Sequence, residues 1–233
     1  MWIREYNVDK EDGRVDRYRI LYEDEDVLVV YKVAGVAVQS ARVMEVDVMS
    51  LLRNELMERG VREPYLGLVN RLDQPVEGIF LVGRNKRAAA RLSEEVGEHM
   101  EMEKWYKAVV VGKLLKKEGR MVDYLLRDGR TNTSKVVKEG TKGSKRCELE
   151  YQVVEETDKR SLLRIRLLTG RHHQIRVQLA HAGVPIVGDR KYGMREERGQ
   201  LCLCASEMVF GHPGTGERMG FRVEPAFLEN WKG

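Results

Sequence analysis

Cysteine is scarce in this chain. Its 233 residues include only Cys147, Cys202 and Cys204. That odd number, without a framework spacing, excludes a disulfide scaffold and fits reduced thiols in a cytosolic protein. Long apolar runs are missing as well. No stretch approaches the ~20 residues that cross a bilayer, and the opening MWIREYNVDK is too charged for a signal peptide. A cytoplasmic location is the expectation. A strong charge of one sign is also absent: 41 Lys and Arg face 37 Asp and Glu, a net +4. That mild excess is compatible with a polyanion partner and does not demand one. There is no internal repeat and no linker long enough to separate two domains. What is present in quantity is apolar residues, 42%, enough for a sizeable core, and charged residues, 33%, above the usual figure of about 25%.

The pattern along the chain mixes hairpins with isolated helices. Residues 1–18 are charged and read as an extended N-terminal arm; residues 19–233 read as a single domain. YRILYEDEDVLVVYK is strand, acidic turn, strand. Asp47 is a good N-cap for a helix carrying Met49, Leu52 and Leu56 that stops at Gly60. A strand is expected at about 78–83, and Asn85 can cap a second helix with Ala88, Leu92 and Val96 as its apolar stripe. EKWYKAVVVGKL returns to strand. Residues 127–146 have few large apolar side chains and read as a long, mobile, basic loop or hairpin. Strands follow at about 148–154 and 161–168, then a helix that ends at Gly183. This order predicts an α+β fold with a largely antiparallel, mixed sheet and flanking helices and loops.

Several constellations carry chemical meaning. In LVNRLDQPVEG, Arg71 and Asp73 stand two apart just before the apolar run Ile79–Val82, where alternating residues share a face. On these residues alone, a surface ion pair is the simpler reading. In TGRHHQIRVQLAHAG, Arg171, His172, His173, Arg176 and His181 occur without any acid. Such a helix start suits an anion, and a solvated basic face is the bland alternative. A metal is not expected, because adjacent histidines point to different sides of a helix and the metalloprotease pattern needs an i, i+4 pair with a Glu. In KWYKAVVVG, Trp105 and Tyr106 fall on opposite faces of a strand, so one packs in the core and the other meets a cleft. From 130 to 146 six Lys and Arg face one acid, Glu139. Cys202 and Cys204 alternate on a strand and read as inert thiols.

Taken in order, VNRLDQPVEGIFLVGRN, EKWYKAVVVG and TGRHHQIRVQLAHAGVPIVGDRKYG resemble the hallmark segments of RluA-type pseudouridine synthases, and YEDEDVLVVYKVAGVAVQS is similar to that family's first motif. The resemblance runs from about residue 19 to 223. It implies an enzyme that isomerises uridine in transfer or ribosomal RNA to pseudouridine, with no metal and no organic cofactor; a monomer is the default expectation for the chain. By residue match, Asp73 is the expected nucleophile, Tyr106 the platform for the target uracil and an aid to proton removal from C5, and Arg176 the partner of Asp73. Arg71, Arg171, His173, Ile175, Lys135 and Lys138 are the expected RNA-binding residues.

The chemistry of these residue types agrees. A nucleophilic carboxylate must be ionised, which a nearby Arg favours, and a flipped base needs a stacking surface. With all the segments in view, Asp73 reads as chemistry and not as a structural pair. The chain departs from the family at Asn70, where His is frequent, at Val33 for Pro, at the QPVEG stretch, and at His172 for Thr. Only about 18 residues precede the first strand, too few for the S4 domain many relatives carry, so the catalytic domain is expected to recognise RNA unaided. Two rivals remain at this point: an RNA-binding protein on the same fold without catalysis, and a hydrolytic N-glycosylase, which needs a second acid/base and a positioned water.

Overall fold

The computed structural model describes residues 2–6, 17–40, 45–96 and 101–231. In chain order its elements are β1 (Trp2–Tyr6), β2 (Tyr18–Glu23), β3 (Val27–Lys32), α1 (Val48–Glu58), β4 (Gly67–Leu68), β5 (Glu77–Gly83), α2 (Lys86–Val96), β6 (Glu103–Val111), β7 (Glu118–Asp128), β8 (Thr133–Val137), β9 (Lys145–Glu156), β10 (Arg160–Leu167), α3 (Gln174–His181), β11 (Leu203–Gly211) and β12 (Arg218–Val223). This is the expected α+β fold, with a mixed and mostly antiparallel sheet. The chain divides into two compact units, residues 1–103 with 205–226 and residues 104–204 with 227–233.

In the first unit the strand order is β2-β3-β5-β11, with β12 beside β11 and β1 beside β12. The β2–β3, β3–β5 and β11–β12 pairings are antiparallel and β1–β12 is parallel. Val27–Val30 and Ile79–Val82 are fully buried, which is why both runs are continuously apolar instead of alternating. Asp47 caps α1 as expected, accepting the Ser50 N–H at 2.7 Å, and Asn85 caps α2 by accepting the Ala88 N–H at 2.8 Å. α2 lies so close to β5 that a Cβ on Gly83 would come 2.6 Å from the Ala89 backbone. Of the arm, residues 2–6 are β1; the rest, 7–16, lies outside the described residues.

In the second unit the order is β6-β10-β9-β7-β8, antiparallel throughout. α3 rests on the side of this sheet formed by Leu125 and Cys147, with Val177, Val136 and Tyr192 completing the cluster. Trp231 closes a second cluster with Val109 and Leu162. Gly183, at φ +81°, ends α3 where the sequence places the stop.

Of the two readings of residues 127–146, a mobile loop or a hairpin, the structure has the hairpin: β7 continues to Asp128, β8 covers Thr133–Val137 and pairs antiparallel with it, and β9 begins at Lys145. β8 needs no large apolar residues because it is the last strand of its sheet and is held by its ladder to β7.

Candidate active site

Asp73 lies on the loop between β4 and β5, partly buried. The loop is laid along β5 by two bonds: the Val69 N–H donates to the Leu81 carbonyl (3.1 Å) and Asn70 Oδ1 accepts the Leu81 N–H (2.9 Å). Leu72 is buried. Just after Asp73 the chain turns, with the Val76 N–H donating to the Asp73 carbonyl at 3.0 Å. Beneath that turn sits the fully buried Lys32. Its ammonium donates to the carbonyls of Gln74 (3.1 Å), Val33 (3.2 Å) and Val76. The same Gln74 carbonyl accepts the Gly35 N–H at 2.9 Å, and the Gln74 side chain donates back to the Gly35 carbonyl at 3.1 Å. A buried cation thus meets three backbone carbonyls, and two of them, those of Gln74 and Val76, belong to the loop that presents Asp73.

Arg71 is exposed and donates to Gln39 Oε1 at 3.0 Å. Its hydrogen-bond partner is therefore Gln39 and not Asp73, which removes the structural reading of the Arg71–Asp73 pair.

In the second unit Tyr106 lies on β6 opposite Ile165, 7% exposed. Trp105 takes the other face, half-buried, with the Arg164 guanidinium 4.0 Å and that of Arg166 5.6 Å from its ring centre. Lys104 shares the Tyr106 face and is also buried; burial lowers its pKa from the ordinary lysine value.

Arg176 projects from α3 into a buried position and is held by Asp189, with Nε to Oδ2 and Nη2 to Oδ1 both 2.8 Å. Burial alone would raise the Asp189 pKa; the hydrogen bonds and charge of Arg176, with the N–H groups of Lys191 and Tyr192, outweigh it and hold the carboxyl below its ordinary value. Sequence reasoning missed Asp189. The signal was available: a buried Arg needs a counter-ion, and no acid separates Arg171 from Asp189.

His173 caps α3 in the left-handed region, φ +55°, and is buried. Ile175 is 4% exposed. Arg171 is exposed, with Nε donating to the Arg146 carbonyl at 3.0 Å. Lys135 on β8 and Lys138 just beyond it are exposed, as are Arg130, Lys142, Lys145 and Arg146. Cys147 and Cys204 are buried free thiols and Cys202 is half-buried; burial pushes the Cys147 pKa up to about 11. Among the described residues there is no group of three or more His, Cys, Asp or Glu that could hold a metal ion, and no helix long and apolar enough to cross a membrane.

The family described as RNA pseudouridylate synthase matches residues 26–181. The chain is 35% identical over 223 residues to ribosomal large subunit pseudouridine synthase C of Escherichia coli (strain K12), covering 91% of this chain and 67% of that protein. It is 34% identical over 215 residues to the uncharacterized RNA pseudouridine synthase YlyB of Bacillus subtilis, covering 88% of this chain and 68% of that one. Among solved structures, human RNA pseudouridylate synthase domain containing 1 superposes with a TM-score of 0.75 at 26% identity, over 95% of this chain and 89% of that one. Human RNA pseudouridylate synthase domain containing 4 shares the fold, with a TM-score of 0.74 at 22% identity.

Proposed function

Since the chain belongs to the RNA pseudouridylate synthase family, we propose that it isomerises one specific uridine in large-subunit ribosomal RNA, with Asp73 as nucleophile. The observation that carries the residue assignment is the loop of Asp73. Asp73 is only partly buried, while the backbone just beyond it is held by the fully buried Lys32. Such rigidity is what a nucleophile needs to meet a reacting carbon in one geometry. The choice of ribosomal RNA follows the name of the Escherichia coli relative.

In the reaction the N1–C1′ bond breaks, the uracil turns, C5 bonds to C1′, and the C5 proton leaves while N1 regains one. Atoms balance and no redox partner is required. The proposed roles are these. Asp73 is ionised and attacks at C1′, where positive charge develops. Tyr106 offers a ring to the flipped uracil and its hydroxyl assists proton removal from C5. Arg176, held rigid by Asp189, supplies fixed positive charge. Arg71, Arg171, His173 and Ile175 serve substrate binding, and the exposed Lys135 and Lys138 meet phosphates. The enzyme acts in the cytoplasm as a monomer, without metal or organic cofactor.

The test is a pseudouridine map of total RNA from the source cells. It compares wild type, a deletion, and the deletion complemented with wild type or with Asp73→Asn. One ribosomal site should vanish on deletion and return only with wild type. Return of the site with Asp73→Asn overturns the role of Asp73. A site lost from transfer RNA overturns the substrate. Release of free uracil by the pure protein favours hydrolysis over isomerisation.

A further inference from the structure

His172 is not used by the chemistry above, yet it stands at the centre of a closed ring of contacts within the second unit. Its Nδ1 lies 2.9 Å from Ser134 Oγ and its Nε2 lies 3.1 Å from Asn132 Oδ1. Both partners belong to the tip and second strand of the β7–β8 hairpin. The ring stacks on His173, with centroids 3.7 Å apart at 29°. Nδ1 of His173 is 2.7 Å from Tyr192 Oη, and the two rings meet edge to face. Tyr192 Oη in turn accepts the Ser134 N–H at 2.8 Å, which closes the ring back to the hairpin. A second tie reinforces it: Lys191 Nζ donates to the Asn132 carbonyl at 2.5 Å.

Two features set this cluster apart from an ordinary surface network. The non-glycine residues with positive φ among the described residues are Asn132 (φ +51°) and His173 (φ +55°). One is hydrogen-bonded to His172 and the other is stacked on it. Left-handed backbone costs a residue with a side chain on the order of 1 kcal/mol and persists where surrounding contacts enforce it. The cluster is also anchored on the carboxylate that holds Arg176: Asp189 Oδ1 accepts the N–H groups of Lys191 (2.9 Å) and Tyr192 (3.1 Å). A continuous set of bonds therefore runs from the hairpin tip through His172 and Tyr192 to Asp189 and Arg176.

We propose that His172 is a positioning residue for RNA: it latches the β7–β8 hairpin to the start of α3, so that the hairpin's cations meet RNA phosphates already ordered. This rests on the RNA reading of the preceding subsection. A neutral imidazole satisfies both bonds at once, donating from Nε2 to the side-chain Oδ1 of Asn132 and accepting at Nδ1 from the Ser134 hydroxyl. Arg130 lies in the tip and Lys135 follows Ser134 directly, both exposed. Arg171 precedes His172 and is itself tied to the Arg146 carbonyl. With the latch closed these cations hold a fixed spacing. Without it the hairpin must be ordered during binding, and that entropy is subtracted from affinity.

The experiment uses the full chain and an in vitro transcript of the source organism's large-subunit ribosomal RNA. His172→Phe keeps an aromatic ring on His173 and removes both hydrogen bonds. Ser134→Ala removes one of those bonds and leaves the stack, so it serves where His172→Phe folds poorly. Hydrogen exchange of the free protein should quicken in residues 128–137 for both variants. The KM and Kd for the transcript should rise about tenfold in His172→Phe, a loss of about 1.4 kcal/mol of binding, with kcat within about twofold. A kcat that falls with KM unchanged places His172 in the chemistry and overturns the latch. Unchanged exchange in the hairpin, or faster exchange with KM and Kd unmoved, overturns it as well. A wild-type protein that neither binds nor modifies the transcript instead defeats the substrate reading, a result distinct from variants that match an active wild type.

Discussion

The Asp189 carboxylate grips the Arg176 guanidinium through two parallel hydrogen bonds of 2.8 Å, with both side chains almost wholly buried. Asp189→Asn leaves a buried guanidinium without its counter-charge, which should destabilise the protein by about 3–5 kcal/mol. The pH dependence has a definite sign. Burial pushes the Asp189 pKa up, but Arg176 and the two N–H donors pull it down further, to a net value below the ordinary one. A depressed carboxyl contributes stability that is complete above its unfolded pKa, near 3.9, and is lost as pH falls through the folded value. Calorimetry from pH 7 to pH 3 should show a wild-type Tm that drops below about pH 4. Asp189→Asn should start lower and lose that step. A variant whose Tm profile parallels wild type would show that the pair contributes nothing.

This pair also shows how far sequence could reach. The caps Asp47 and Asn85, the stop at Gly183 and the buried runs of β3 and β5 were legible because each signal lies within a few residues of its effect. Arg176 was legible as a charged residue in an acid-free segment, but Asp189, which holds it, lies thirteen residues on, past the end of the helix. The His172 ring was harder still: Ser134 and Tyr192 are 58 apart in sequence. β1 and β8 escaped for a related reason. Each is a strand of five residues, too short to show a period, held by its ladder, β1 to β12 near the far end of the chain and β8 to β7. Hydrophobic periodicity reports burial, and these strands are specified by pairing.

Lys32 gives a second prediction. Lys32→Met keeps the apolar stem and removes the ammonium, so the carbonyls of Gln74, Val33 and Val76 lose a donor. Each carbonyl left unpaired costs about 1–3 kcal/mol. The effect on catalysis should exceed the effect on folding, because a shift of the Asp73 loop by about 1 Å is worth roughly 10²-fold in rate. Measured well below the variant's Tm, kcat should fall about 10²-fold with the Kd for RNA within about twofold. A normal kcat in a less stable protein would confine Lys32 to folding and would detach its loop from the reaction.

Tyr106 separates ring from hydroxyl. Tyr106→Phe preserves the apolar ring in its buried place on β6. KM should stay within about twofold, while tritium release from C5-labelled uridine slows by about 10²-fold, the low end for a proton-transfer group. Tyr106→Ala should raise KM in addition, since a stacked base is worth about 1–3 kcal/mol. Wild-type tritium release from Tyr106→Phe would leave the ring as the residue's whole contribution.

The lysines of the hairpin region make the last prediction. Lys135 stands on β8, Lys138 directly after it, Lys142 in the following turn and Lys145 at the start of β9, and all four are exposed. Exposed substitutions of this kind usually move stability by less than about 0.5 kcal/mol. Changing all four to Gln should therefore leave Tm nearly constant. Binding should respond differently, because each lysine on a phosphate releases a counter-ion and steepens the fall of affinity with salt. A plot of log K against log salt should lose roughly one unit of slope for every lysine that touches RNA. Since the latch fixes Lys135 next to Ser134, its share should persist when Lys138, Lys142 and Lys145 alone are changed. A slope identical to wild type in the quadruple variant would remove this edge of the sheet from the RNA interface, whatever the activity.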